Sequence, residues 1–278
     1  MVMYQVDAFA DRVFGGNPAA VVPLEEWISD DLMQQIAIEN NLSETAYFVK
    51  EGDIYHIRWF TPDFEIDLCG HATLASAFVI KNHFEPEIDV IEFSTQKAGS
   101  LKVFCEADQY TLDFPARIPQ PTYAPKELFP SLGIDQAVEV LKSRDYFVVL
   151  EDEAAVLNVK PDFTLMRRLD AIGVIVTAKG KSAEVVSRCF YPGIGFQEDP
   201  VTGSAHCNII PYWCGKLGKN SFFAKQLSKR GGDLWCELKG DRVLMTGKAV
   251  EYMKGTIDPS IFDKSTKTTE RKLSATIS

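Results

Sequence analysis

A chain of 278 residues, 46% of them hydrophobic, can bury a substantial core without disulfide or metal staples. Its formal charge of −10 argues against nucleic acid and anionic membranes as partners, because both need clustered Lys and Arg, but leaves room for a small anionic substrate. The six cysteines (Cys69, Cys105, Cys189, Cys207, Cys214 and Cys236) make no C-x-x-C pair and no zinc spacing with histidine. The opening MVMYQVDAFA has no basic segment or long apolar run, and no stretch approaches the roughly 18 apolar residues of a membrane helix. The expectation is a cytoplasmic protein with reduced thiols.

Met3–Phe9 alternates as a strand, and Phe14–Pro18 (FGGNP) reads as a turn. Ser29 is suited to cap a helix over Asp30–Asn40, with acidic residues in its first turn. Strands follow at Thr45–Lys50 and Ile54–Phe60, then an apolar helix over His71–Asn82, then strands at Val90–Ser94, Ser100–Glu106 and Tyr110–Phe114. The four prolines from Pro115 to Pro125 mark an extended linker. Beyond it the order recurs: strands at Tyr146–Leu150 and Ala154–Val159, a helix over Pro161–Leu169, and strands at Ala171–Thr177 and Glu184–Tyr191. A helix over Ser204–Leu217 follows, with Pro211 expected to distort it, and then strands at Leu234–Leu238 and Val243–Thr246.

The recurrence is visible in residues. Arg58-Trp59-Phe60-Thr61-Pro62 matches Arg188-Cys189-Phe190-Tyr191-Pro192, and Gly70-His71-Ala72 matches Gly203-Ser204-Ala205 at two helix starts. The chain therefore divides into a first half, 1–117, and a second, 118–257; the polar tail 258–278 can join the first. A cleft between two such halves is a favoured ligand site. Each glycine stands where a strand-like segment turns into a helix, and the first helical N–H groups, with the helix dipole, attract an anion.

Taken singly, the polar residues near these turns have plain readings. Glu44 can be a solvated acid at a strand start, His71 a packed or capping histidine, and Asp199 and Ser204 helix caps. Taken together, Asp7-Ala8-Phe9, Gly16-Asn17-Pro18-Ala19-Ala20-Val21, Leu42-Ser43-Glu44-Thr45-Ala46, Arg58 to Pro62, Asp67 to Thr73 and Glu198 to His206 resemble the signatures of the PhzF-like phenazine-biosynthesis family, in that family's order.

The resemblance implies an α+β fold like that of diaminopimelate epimerase, with two pseudo-symmetric halves, each an antiparallel, barrel-like sheet wrapped around a central helix. It implies a cofactor-independent isomerase, active as a homodimer on a small carboxylate-bearing molecule. Glu44 would be the acid/base, with His71 and Asp199 beside it, and Gly70, His71, Gly203 and Ser204 would bind substrate. No nucleotide motif or metal-ligand cluster is present in the sequence, so no cofactor or metal is expected. The two-thiol mechanism of related racemases is disfavoured: Cys69 precedes Gly70, but the second motif offers Pro200, Val201 and Thr202 before Gly203. A two-base racemase or epimerase using Asp199, and a non-catalytic binding protein on the same fold, remain the alternatives.

Overall fold

The two apolar helices are buried on all sides, and the rest of the chain is arranged around them. The computed structural model describes residues 1–194 and 197–258, so all of the tail 258–278 except Asp258 lies outside the described residues. The first half runs β1 (Val2–Ala8), β2 (Asn17–Leu24), α1 (Asp30–Asn40), β3 (Glu44–Glu51), β4 (Ile54–Phe60), β5 (Glu65–Ile66), α2 (Gly70–His83), β6 (Val90–Ser94), β7 (Ser100–Glu106) and β8 (Gln109–Pro115). After a short β9 (Gln120–Pro121) and α3 (Leu128–Leu132) come β10 (Glu139–Lys142), β11 (Tyr146–Val149), α4 (Glu153–Leu157) and α5 (Phe163–Met166). The chain then passes through β12 (Val174–Lys179), β13 (Val185–Phe190), β14 (Glu198–Asp199), α6 (Gly203–Leu217), β15 (Ser221–Gln226), β16 (Gly232–Lys239), β17 (Arg242–Gly247) and β18 (Ala249–Thr256).

The expected α+β architecture is present, with a repeated strand order. In the first half β1 pairs with β2, β2 with β3, β3 with β4, β4 with β6, β6 with β7 and β7 with β8. In the second, β10 to β17 repeat this pattern, with β14 in the place of β5. The sheets are mixed rather than antiparallel throughout: β2–β3 and β4–β6 are parallel, as are β11–β12 and β13–β15. Helical connections between the parallel partners make this possible. The halves are not separate sheets, because β8 pairs with β17 across the junction. Residues 249–256, counted with the second half from sequence, instead add β18 to the first by pairing with β1. Reciprocally, β9 pairs with β10.

Burial accounts for the two central helices. In α2 every residue from Gly70 to Ala77 is buried, as are Val79 and Ile80, which marks a helix enclosed by sheet rather than one lying on it. The largest apolar cluster crosses both halves, from Trp59 and Leu74 to Ile209 and Met245. Each such side chain contributes about 1.5–3 kcal/mol by leaving water. The repeated Arg-x-Phe motif now has a physical reason. Arg58 forms a two-bond fork with Glu65 (2.7 and 2.8 Å) and lies 5.1 Å from the Phe60 ring centre. Arg188 does the same with Glu198 (2.7 and 3.0 Å) and the Phe190 ring at 5.1 Å. Each fork ties the short strand β5 or β14, and hence the turn that follows, to its half.

Several elements differ from expectation. Segment 154–159 contains a short helix, because Asp152 accepts the Ala155 N–H as an N-cap. The FGGNP turn continues directly into β2, whose prolines, Pro18 and Pro23, sit one residue from its ends. Pro211 leaves α6 unbroken: the carbonyl freed by its missing N–H, that of Cys207, accepts the Arg117 N–H at 2.8 Å from the inter-half connection. Among the described residues no helix is long and apolar enough to cross a membrane.

Gly16 fixes the start of β2 by adopting φ +59°, and a Cβ there would lie 2.1 Å from the Ala8 carbonyl oxygen. Gly16→Ala should therefore cost at least about 2 kcal/mol. A thermal melt indistinguishable from wild type would contradict this.

Candidate active site

The starts of α2 and α6 meet where the halves join: a methyl built on Gly70 would lie 3.5 Å from the Gly203 Cα. They open into a cleft of about 520 Å³. Glu44, Gly70, His71, Asp199, Gly203 and Ser204, the six residues singled out from sequence, all line it. The N-caps are Cys69 and Thr202, both extended, and neither side chain bonds the first turn of its helix. The first-turn N–H groups therefore have no cap partner, as an anion site requires.

This disposes of the capping readings. Asp199 accepts from Asn17 Nδ2 at 2.7 Å and from Thr202 Oγ1 at 2.5 Å, while Ser204 Oγ faces Arg144 Nη2 at 3.4 Å. Glu44 is the first residue of β3; the left-handed Asn41 (φ 49°) that ends α1 turns the chain into it, and pairing with Ala19 of β2 holds it. Its side chain is buried, and its Oε2 lies 3.0 Å from His71 Nε2. The two atoms are in contact without hydrogen-bond alignment, so both keep bonding capacity for a ligand.

On its other edge His71 Nδ1 faces Cys69 Sγ at 3.4 Å and Asn17 Nδ2 at 3.2 Å. Asn17 also donates to the Val201 carbonyl at 2.9 Å. Two hydrogens thus meet two acceptors, Asp199 and the Val201 carbonyl, with His71 Nδ1 nearby in a role set by its protonation. With Asp199 and Val201 offering only acceptors, the amide orientation is determined.

The charges follow from burial. Burial disfavours an imidazolium at His71, but Cys69 and Glu44 outweigh it and hold the pKa above the ordinary histidine value. Burial and then Glu44 push the Cys69 thiol up to about 11, so it is neutral near pH 7 and Glu44 is the charge that supports His71. Asp199 is pushed up to about 6, chiefly by burial, against the opposing pull of His71. Ligand atoms of Glu44, Cys69 and His71 come within 4.8 Å of one another. The sulfur stands nearest Nδ1 and the carboxylate nearest Nε2, and the spacing is close enough for the three to share one ion.

Sequence reasoning missed four contributors. Asn17 stood in a quoted motif but carried no role. Tyr191 stood in the second Arg-x-Phe repeat, at the position of Thr61. Arg117 and Arg144 also line the cleft, and no motif marks either.

Comparison with known proteins supplies a second line of evidence. The family model described as "Phenazine biosynthesis-like protein" matches residues 6–255. An uncharacterised isomerase of Pseudomonas aeruginosa is 48% identical, the match covering 92% of this chain and 98% of that one. Among solved structures, a PhzF-family protein of Enterococcus faecalis is 49% identical with a TM-score of 0.90, covering 92% of this chain and 98% of that one. A PhzC/PhzF protein of Clostridium difficile is 46% identical with a TM-score of 0.87, covering 93% and 99%.

The raised Asp199 pKa has a definite sign. Between the ordinary 3.8 and about 6 the folded protein holds a proton that the unfolded chain has lost, so this contribution to stability is present at low pH and is lost as pH rises through about 6. Asp199→Asn stays neutral, so on top of a pH-independent loss from the one acceptor it lacks, its stability relative to wild type should rise between about pH 4 and pH 7, by at most about 3 kcal/mol and less for a half-buried group. Parallel melting-temperature curves for the two proteins would show that Asp199 titrates normally.

Proposed function

The chain belongs to the phenazine biosynthesis-like family, and from that membership and the geometry of the cleft we propose that it is an isomerase moving a proton within a small carboxylate-bearing metabolite, with Glu44 as acid and base. The observation that carries the reading is the buried Glu44 Oε2, without a hydrogen-bond partner and 3.0 Å from His71 Nε2, in a cleft that two uncapped helix starts also line.

In this reading the substrate carboxylate sits on the N–H groups at Gly70–His71 and Gly203–Ser204. The Glu44 carboxylate takes a proton from one carbon and returns it to another, without leaving the cleft. His71 steadies the charge on Glu44, and Asp199, tied through Asn17, orients the reacting end. The protein needs no cofactor or metal for this. The same reading makes it a cytoplasmic homodimer with no nucleic-acid or membrane partner. Six buried cysteines, all free, support a reducing compartment, and light scattering tests the dimer.

A two-base racemase or epimerase is the second reading. It is favoured by Asp199, whose pKa near 6 suits a second proton carrier. A thiol pair is not favoured, because the counterpart of Cys69 is Thr202.

Incubating the protein with candidate acids in D2O, followed by mass spectrometry and chiral analysis, separates these. A proton-shifting isomerase yields a positional isomer, a racemase yields label with inversion, and a binding protein yields neither. Once turnover is found, Glu44→Gln should lower it by about 10²–10⁴-fold or more with the melting temperature maintained. Cys69→Ala should stay within about tenfold of wild type, one tenfold step being about 1.4 kcal/mol of barrier. An active Glu44→Gln beside an inactive Cys69→Ala would overturn the mechanism.

A further inference from the structure

The charges around the first turn of α6 are arranged in a way that the helix starts alone do not require. Each helix start carries about half a positive charge, so the two that meet here amount to about one. A cation close to such an end is unfavourable, yet two arginines stand there. Arg144 reaches to 3.4 Å from Ser204 Oγ, and Arg117 donates its backbone N–H to Cys207 one turn along the same helix. Arg144 is balanced by the fully buried Asp145 at 3.0 Å. Arg117, half-buried, is paired with no acid among the described residues.

Of the acids that line the cleft, Glu65 is taken by Arg58, Asp67 by Lys97 and Glu44 by His71. Asp199 is held by the neutral Asn17 and Thr202 and, with its pKa pushed up to about 6, is largely uncharged only below that pH. Beside Arg144 the Tyr191 side chain is 3% exposed, and its hydroxyl has no partner but Arg144, a donor, within reach, so its own hydrogen has no acceptor among the described residues. Burial pushes its pKa well up, so it stays a neutral phenol able to donate to an anion. A buried donor without a partner costs about 1–3 kcal/mol unless something else supplies an acceptor.

We infer that the cleft is built for a substrate with two acidic groups, one on the joined helix starts and the other on Arg117, supported by Arg144 and Tyr191. The helix starts and Arg117 offer two separate positive places for acidic groups, most fully below about pH 6, where Asp199 holds its proton, and about 520 Å³ suits a small organic diacid. The inference rests on the cleft being the substrate site; it does not depend on the chemistry assigned to Glu44.

The test is calorimetric binding of matched probes to the intact protein at fixed ionic strength. The pairs are butyrate against glutarate and benzoate against isophthalate, with 4-phosphonobutyrate reporting whether phosphonate can replace the second carboxylate. The diacid of each pair should bind at least about tenfold more tightly than the monoacid. Arg117→Gln should abolish that gap while leaving monoacid affinity and melting temperature unchanged, and Arg117→Lys should retain part of it. Tighter binding of the phosphonate than of butyrate also supports a second anion site. A gap below about threefold in wild type, no binding of any diacid at millimolar concentration, or a gap intact in Arg117→Gln overturns the inference. Glu44→Gln should keep the diacid preference. A preserved preference in a protein that moves no protons would therefore remove the proposed chemistry and leave this inference standing.

Discussion

The site depends on one side-chain amide. Asn17 comes from the first half, yet its two hydrogens are directed at Asp199 and the Val201 carbonyl of the second, while His71 stands 3.2 Å away on its own side. No other orientation of the amide meets these acceptors. It sets the distance between the Glu44–His71 pair and Asp199, and so decides whether the two walls of the cleft act on one molecule. The chain holds this residue firmly. Arg230 of the second half binds Asp7, the Gly15 carbonyl and the Gly16 carbonyl, each at 2.8 Å, which pins the turn leading into Asn17.

The scaffold is close to symmetric and the chemistry is not. Thr45 pairs with Phe60 as Val174 pairs with Phe190, which makes Gly173 the counterpart of Glu44. A Cβ at Gly173 would lie 2.3 Å from the Tyr191 ring and 2.5 Å from the Phe190 carbonyl oxygen, so no side chain fits there. The room a second glutamate would need is filled by Tyr191, which lines the cleft. By the same registers Ile66 is the counterpart of Asp199, with Trp59 and Cys189 as their partners, and His71 and Ser204 correspond at the helix starts. Duplication supplied the frame and two anion-binding turns. Divergence left Glu44 and His71 on one wall, and Arg144 and Tyr191 on the other.

The sequence announced what repeats and what is apolar. The central helices were legible because they lack a polar face, and the six line-up residues were legible because glycine-led turns and family motifs mark them. Strands that broke a rule were harder to see. β2 begins with Asn17-Pro18, which reads as a turn, and β18 is largely exposed along its length, so no alternation distinguishes it from a tail. β15 alternates in burial, but its residues SFFAKQ do not alternate in polarity, since Gln226 is buried and Phe223 only partly so. Arg117 and Arg144 carry no local signal because their importance is positional. Arg117 is placed by its backbone, whose N–H replaces the one Pro211 lacks, and only the folded chain brings residues 117 and 211 together.

The return of β18 to the first half bears on how the protein is made. Hydrogen bonding along the sheet runs from β18 through β1 to β8, then across β17 and back to β10 and β9. During synthesis the amino-terminal half emerges with β1 lacking one neighbour and β8 lacking another, since β17 and β18 are residues 242–256. Two sheet edges therefore stay open until residues 242–256 have left the ribosome, and exposed edges invite pairing with other chains. Contacts of such long sequence separation also fold slowly. The pairings that join the two halves in the finished molecule thus leave its nascent form with two waiting strands.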